Sequence, residues 1–277
     1  MSLPGVNSSS GLWDFKPRFN GHGVSFVLTR VYGMTSVNLT MTAKNELAPS
    51  GQLRAGMNLG NTLFTGKDAS GQLHGVSVDL MQALAHRLGV PLQMVVYDQP
   101  GQVADDAVRG AWDVAILAIE KTRAKTISFS PAMTEIEAGY VVRPNSTLQR
   151  VDQVDAPGVK IAAPSKAGYE LYLSSALEHA TLLRTANFAE SMDVFNQGRV
   201  DVLAGLKPNL IDAMGRLPGG QLLEGNFMVI NHGLATPLGL GAANEYLRHF
   251  VQDMISTGFI ARSIEQHRII GLKAIAA

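Results

Sequence analysis

The chain has 277 residues, 46% of them apolar and 17% charged, with mean hydropathy +0.09, which suffices for one large domain or two small ones around a packed core. Lysine plus arginine (23) balances aspartate plus glutamate (23), and no basic stripe is interleaved with aromatics, which argues against nucleic-acid or anionic-membrane binding. The absence of cysteine excludes disulfides and thiolate chemistry, and none of the seven histidines forms a His-x-x-x-His or His-Glu-x-x-His pair. The histidines therefore read as structural or solvated, and no metal or cofactor is expected.

Residues 1–49 read as an extension, disordered or loosely attached, rich in Gly, Ser, Asn and Thr, with weak strand-like fragments at 24–29 and 37–41. Ser8-Ser9-Ser10-Gly11 and Lys16-Pro17-Arg18 do not fit a secretory signal, and Met34 and Met41 are alternative starts. No stretch reaches the roughly 18 apolar residues of a membrane span. The sequence as it stands is thus expected in the cytoplasm, or outside it if the true start carries a signal.

From Leu53 the pattern sharpens. Residues 53–59 read as a strand, and a helix starting near Ser77 or Asp79 carries Leu80, Met81, Leu84, Ala85 and Leu88 on one face and is closed by Gly89. A strand at 92–96 and a helix at 102–108 lead to Val114–Ile119, an unbroken apolar run that implies a strand buried on both faces. Glu120 and Arg123 follow at its carboxyl end, where open parallel sheets bind ligands. A strand at 127–130 is ended by Pro131 and one at 137–143 by Pro144-Asn145-Ser146, and a second strand-and-helix series follows. It comprises strands at 159–162, 182–185 and 200–204 and helices at 167–179, 188–196 and 208–214. Strands at 227–230 and 234–237 and helices at 241–255 and 260–268 complete the chain. Two such series joined by two crossover strands predict a two-lobed α/β protein: residues 50–142 plus 229–271 in lobe one, 143–228 in lobe two, and 272–277 as a tail. The interlobe cleft is the expected small-molecule site, with the two crossovers as hinges.

Several segments resemble family 3 extracellular solute-binding proteins, the type II periplasmic binding proteins of polar amino-acid ABC importers. They are Leu53-Arg54-Ala55-Gly56-Met57, Gly75-Val76-Ser77-Val78-Asp79-Leu80 (similar to "GfdvDl"), Gly110-Ala111-Trp112-Asp113-Val114-Ala115, and Arg123 through Pro131 (similar to "R...vdFs.PY"), with Gly198-Arg199-Val200-Asp201-Val202 near the second hinge. The resemblance spans about residues 50–270 and implies mostly parallel lobe sheets, binding rather than turnover, a monomer, and docking on permease subunits.

By that resemblance Arg123 would hold a ligand carboxylate, which suits the planar donor pair of a guanidinium. Ser165, Lys166, Ala167 and Gly168, at a helix start, would supply further donors, although Ser165 is equally a plain N-cap and Lys166 equally a surface lysine. Asn58, Asn61 and Phe64 occupy the first-strand end, where the asparagines either orient a ligand or cap the turn. Two departures stand out. The threonine-rich turn before the arginine is about two residues shorter here and carries Glu120, a ligand contact or a local partner. The family's ammonium-binding aspartate, five residues beyond Asp201, is Leu206, while Lys207 and Asn209 lie beside it. A leucine cannot compensate an ammonium. The expectation is accordingly a small anionic or carboxylated solute. Two alternatives stay open: a dehydratase resembling cyclohexadienyl or arogenate dehydratases, with Glu120, Glu135 or Glu137 as acid, and a regulatory protein with a non-functional cleft.

Overall fold

A computed structural model describes residues 36–276. Helix α1 (Ser36–Leu47) opens it, with Ala43 and Leu47 fully buried, and is followed by strand β1 (Leu53–Asn58) and the short paired strands β2 (Gly66–Lys67) and β3 (Leu73–His74). Helix α2 (Val76–Leu88) starts at Gly75, which takes φ 113, and ends at Gly89 in the left-handed region at φ 63. Strand β4 (Leu92–Tyr97), helix α3 (Pro100–Asp106), β5 (Val114–Ala118) and β6 (Ile127–Phe129) complete the first series, and β7 (Thr134–Val142) leaves it. The second series runs β8 (Lys160–Pro164), α4 (Gly168–Ala176), β9 (Thr181–Thr185), α5 (Phe188–Asn196), β10 (Val202–Leu206), α6 (Lys207–Ala213) and β11 (Gln221–Leu222). Strand β12 (Met228–Pro237) returns to α7 (Gly241–Ser256), α8 (Phe259–Gln266) and β13 (Leu272–Ala274).

Apart from the β2–β3 pair, the strands form one continuous sheet in the order β4-β1-β5-β12-β7-β10-β8-β9, with β6, β11 and β13 branching from the hinge pair. Pairing is parallel within each series (β1 with β4 and β5, β8 with β9 and β10) and antiparallel wherever β7 or β12 is involved. The sheet is therefore two parallel blocks welded through an antiparallel crossover, the mixed two-lobed arrangement expected. All five residues of β5 are buried, as its lack of alternation required. Trp112 and Asp113 fix the entry to β5. The indole is fully buried and donates Nε1–H to the Val103 carbonyl at 2.8 Å, while the Asp113 carboxylate takes the Arg54 backbone N–H at 2.8 Å and two Arg54 guanidinium bonds at 3.1 and 2.6 Å.

Four of the differences from expectation bear on how the fold is held together. Residues 36–47 are helical and not a loose extension: α1 packs on α7, and Glu46 accepts the Ala243 N–H at the start of α7 at 2.7 Å. The strand-like fragment at 37–41 is thus the first part of this helix, and the fragment at 24–29 lies outside the described residues. The helix predicted to reach His179 stops at Ala176, because the Asp155 carboxylate takes the N–H groups of Glu178, His179 and Ala180 at 2.8–2.9 Å. The predicted tail includes β13, which pairs with β7 and buries Leu272. Finally, the strands predicted at 227–230 and 234–237 are one ten-residue strand, β12.

Leu47→Ala is expected to lower stability by about 2–5 kcal/mol, the usual cost of a cavity at a fully buried leucine. Urea unfolding would read this directly, and a change below about 0.5 kcal/mol would show that α1 is not part of the core.

Candidate functional site

The carboxyl ends of β1, β5, β8 and β10 point toward one another across the hinge strands and enclose a cleft. About 70 Å³ of it is enclosed space large enough for water, inside a wider opening of about 710 Å³ continuous with solvent. Lobe one contributes Asn58, Asn61 and Phe64 from the end of β1, Ile116 to Ala118 from β5, and Arg123. Lobe two contributes Ala167, Gly168 and Tyr169 at the start of α4, with Phe188, Leu206 and Asn209. Hinge strand β12 supplies Ile230 and His232 to the wall between them.

Arg123 is only 5% exposed. Its Nη1 donates to the Ala118 carbonyl at 3.2 Å and its Nη2 to the Lys166 carbonyl at 2.8 Å, so one guanidinium touches both lobes. Burial pulls its pKa down to about 10, opposed by the negative fields of Glu120 and Asp105, and it remains charged at neutral pH. Among the described residues no carboxylate lies within ion-pair distance of it. The two recorded bonds use two of its five N–H donors. Both partners are neutral carbonyls, and the site keeps a full positive charge in a desolvated setting.

His232 stands across the β12–β5 ladder from Ala118, the residue whose carbonyl receives Arg123. It is 5% exposed, its ring lies tilted against Phe64 at 4.7 Å between centroids, and its Nδ1 has no protein hydrogen-bond partner. Burial and the neighbouring Arg123 charge push its pKa down to about 3, opposed by the Ile230 backbone carbonyl near the ring, and the imidazole stays neutral.

Beside the cleft, close approach of the lobes depends on two glycines. A Cβ on Gly101 would fall 2.9 Å from Lys166 Cβ, and one on Gly168 would fall 2.9 Å from Ala118 Cβ, so these contacts require residues without side chains. Lys166 Nζ also reaches across to the Asp105 carboxylate.

Comparison with known proteins places this geometry. The profile of the bacterial extracellular solute-binding proteins, family 3, matches residues 53–261. The chain belongs to that family. No curated protein sequence matches it significantly. Solved structures similar to it include the ancestral amino acid-binding protein AncCDT-1, a precursor of cyclohexadienyl dehydratase (22% identity, 80% of this chain and 98% of that one, TM-score 0.67). The solute receptor for L-cysteine of Neisseria gonorrhoeae is also similar (18% identity, 82% and 95%, TM-score 0.70). So is a binding component of an ABC transporter from Wolinella succinogenes complexed with lysine (20% identity, 78% and 95%, TM-score 0.67). At these identities the structures share the fold.

In this solute-binding protein, seven of the residues predicted for the site border the cleft together: Asn58, Asn61, Phe64, Arg123, Ala167, Gly168 and Asn209. Asn58 and Asn61 also cap the turn after β1, accepting the N–H of Gly60 at 3.0 Å and of Leu63 at 3.3 Å. Four others do not border it. Glu120 is turned onto its own backbone, accepting the N–H groups of Thr122 at 2.7 Å and Arg123 at 3.3 Å, a local pairing. Ser165 is exposed, and its N–H joins the Thr185 carbonyl at 2.8 Å. Lys166, left-handed at φ 61, uses its carbonyl on Arg123, its N–H on Glu170 and its ammonium on Asp105. Lys207 is bound to Glu137 at 2.8 Å beside the hinge. His232, Tyr169 and Phe188 were not predicted as cleft residues. For Phe188 the signal was its place at a helix start facing the sheet ends, and for His232 only pairing across the hinge reveals it.

Because His232 resists protonation in the folded chain but not in the unfolded one, it lowers stability as pH falls from about 6.5 toward 3. The unfolded state binds the extra proton in that window, so the unfolding free energy falls by up to about 1.4 kcal/mol per pH unit from this group. Urea unfolding between pH 7 and 4 is expected to show a shallower acid-side loss in His232→Gln than in the native protein, and equal slopes would remove His232 as a contributor.

Proposed function

We propose that this solute-binding protein captures a small carboxylated anion in the interlobe cleft, outside the cytoplasm, and presents it to the membrane subunits of an ABC importer. The observation that carries the reading is Arg123, buried, charged, touching both lobes and without a carboxylate partner, at the wall of a cleft lined by no Asp or Glu among the described residues. A ligand carboxylate there would pair with a charge that is otherwise met directly only by carbonyls and at a distance by the Glu120 and Asp105 fields, and charge-assisted bonds of that kind are among the strong ones. Family membership supports binding and delivery as the setting, and the two hinge strands supply a route for the cleft to open and close. Docking on permease subunits and a monomeric state belong to the same proposal.

A dehydratase needs a protonated acid in reach of the leaving group. Glu120 accepts two backbone N–H bonds, and Glu137 is held below the ordinary carboxylate range by Lys207 and Lys273. Neither borders the cleft, nor does Glu135, and nothing in the lining favours turnover over binding.

Thermal-shift measurements over carboxylates, dicarboxylates and amino acids are expected to give selective stabilisation, about 2.7 kcal/mol at a ligand concentration 100 times Kd. Arg123→Ala is expected to abolish every carboxylate-dependent shift. Unchanged affinity in that variant would exclude Arg123 from the site.

A further inference from the structure

Three features outside the function just described invite explanation. Asp79 accepts bonds from Ser263 at 2.6 Å and His267 at 2.9 Å, but the serine and histidine share the carboxylate and not one another, an arrangement that ties α8 to α2 and activates nothing. The groove bordered by Thr62, Ile211 and Ile270 exposes apolar side chains with nothing to specify what covers them. His232 is different. It is a polar side chain more than nine-tenths buried, on the wall of the ligand cleft, and its Nδ1 makes no hydrogen bond of ordinary geometry, the Ile230 carbonyl two residues earlier being the one backbone group that acts on the ring.

An unpaired polar atom in such a place costs stability unless something pairs with it. Thr134 lies directly opposite His232 in the β7–β12 ladder and is the obvious internal candidate, but its own hydroxyl is also unpartnered, so the two do not satisfy each other. Charge narrows what could meet the ring. The imidazole is next to the Arg123 guanidinium, both groups border the same cleft, and Leu206 at the end of β10 adds an apolar wall. An ammonium brought here would face a fixed positive charge with no carboxylate to offset it, whereas an uncharged hydroxyl would not. A neutral imidazole carries one donor and one acceptor, and a hydroxyl can meet it in either tautomer.

We propose that His232 is the specificity-determining contact of the cleft, hydrogen-bonding a hydroxyl on the carbon beside the ligand carboxylate, and that the solute class is accordingly a small 2-hydroxy acid and not a 2-amino acid. This rests on the reading of Arg123 as the carboxylate contact. Arg123 then supplies anion affinity common to all carboxylates, and His232 decides which substituent is accepted next to it. The orientation follows from the ladder: Ala118 anchors the guanidinium on β5, and His232 is its partner residue on β12, so the two ligand groups they address are neighbours.

The test uses two matched series that differ only in that substituent: propionate, lactate and alanine, and phenylpropionate, phenyllactate and phenylalanine, titrated calorimetrically into the native protein. In at least one series the hydroxy acid is expected to bind about tenfold or more tighter than the unsubstituted acid and than the amino acid, the worth of one well-made buried hydrogen bond. In His232→Leu that preference, read as the ratio of the two affinities, is expected to shrink to within about threefold, and in Arg123→Ala all binding is lost. If the leucine variant does not fold, His232→Phe, which keeps a ring against Phe64 without a polar atom, is expected to give the same loss of preference. A hydroxyl preference that survives in the folded variant, or a native protein that takes the amino acid as tightly as the hydroxy acid, overturns the assignment of His232 and leaves Arg123 standing if its variant is silent. Failure of the native protein to bind any of the six overturns both.

Discussion

A guanidinium taken almost entirely out of water and given no carboxylate partner governs the organisation of this molecule. Removing such a charge from solvent costs several kcal/mol even after relaxation. Here the cost is offset by oriented backbone carbonyls, one from the end of β5 and one from the turn before α4. Strand β5 is buried along its whole length, so its last carbonyl is held rigidly where Arg123 returns to meet it. Glu120 ties down the intervening turn by accepting two of its N–H groups and also lends a stabilising field. The second carbonyl belongs to the other lobe. Separation of the lobes would hydrate the arginine as it lost that bond, and in this way solvation of one side chain and domain closure are coupled.

The lobes meet through few but demanding contacts. Gly101 and Gly168 admit the opposing side chains, and Lys166 adopts a left-handed backbone to direct its carbonyl, N–H and ammonium to three different partners. A lysine in that conformation is strained relative to glycine. The Lys166–Asp105 pair is itself half exposed at 55% and 53%, where an ion pair contributes little. Its value is therefore geometric, in placing the carbonyl that receives Arg123.

Much of this architecture was legible in the residues. The apolar run Val114–Ile119 announced a doubly buried strand, Gly89 announced a helix end, and α5 occupies the predicted 188–196 because Asn187 is a plain N-cap that accepts the Glu190 N–H at 2.9 Å. Arg123 was identifiable because it follows that strand at its ligand-facing end. What escaped depended on distant partners. Helix α1 is weakly amphipathic and acquires its burial from α7, 197 residues away at the Glu46–Ala243 contact. The reading of β12 broke at Ile230 because polar Asn231 and His232 interrupt its pattern, yet those residues continue the ladder opposite β5 and β7. For Glu120 the residues left both a ligand contact and a local partner open, because charge near a site says nothing about which way a carboxylate turns when backbone N–H groups lie within reach.

Strand β7, one of the two crossover strands, has neighbours on both sides along most of its length. At Thr134–Ile136 it is held by β12 on one edge and β13 on the other, and Glu137 immediately after clasps Lys207 from lobe two and Lys273 from β13 on separate carboxylate oxygens. Residues 272–274 are consequently a splint laid along the pivot. Any swing of one body against the other must flex three backbones together, which makes the motion stiffer and more nearly confined to a single axis than a pair of bare connectors would allow.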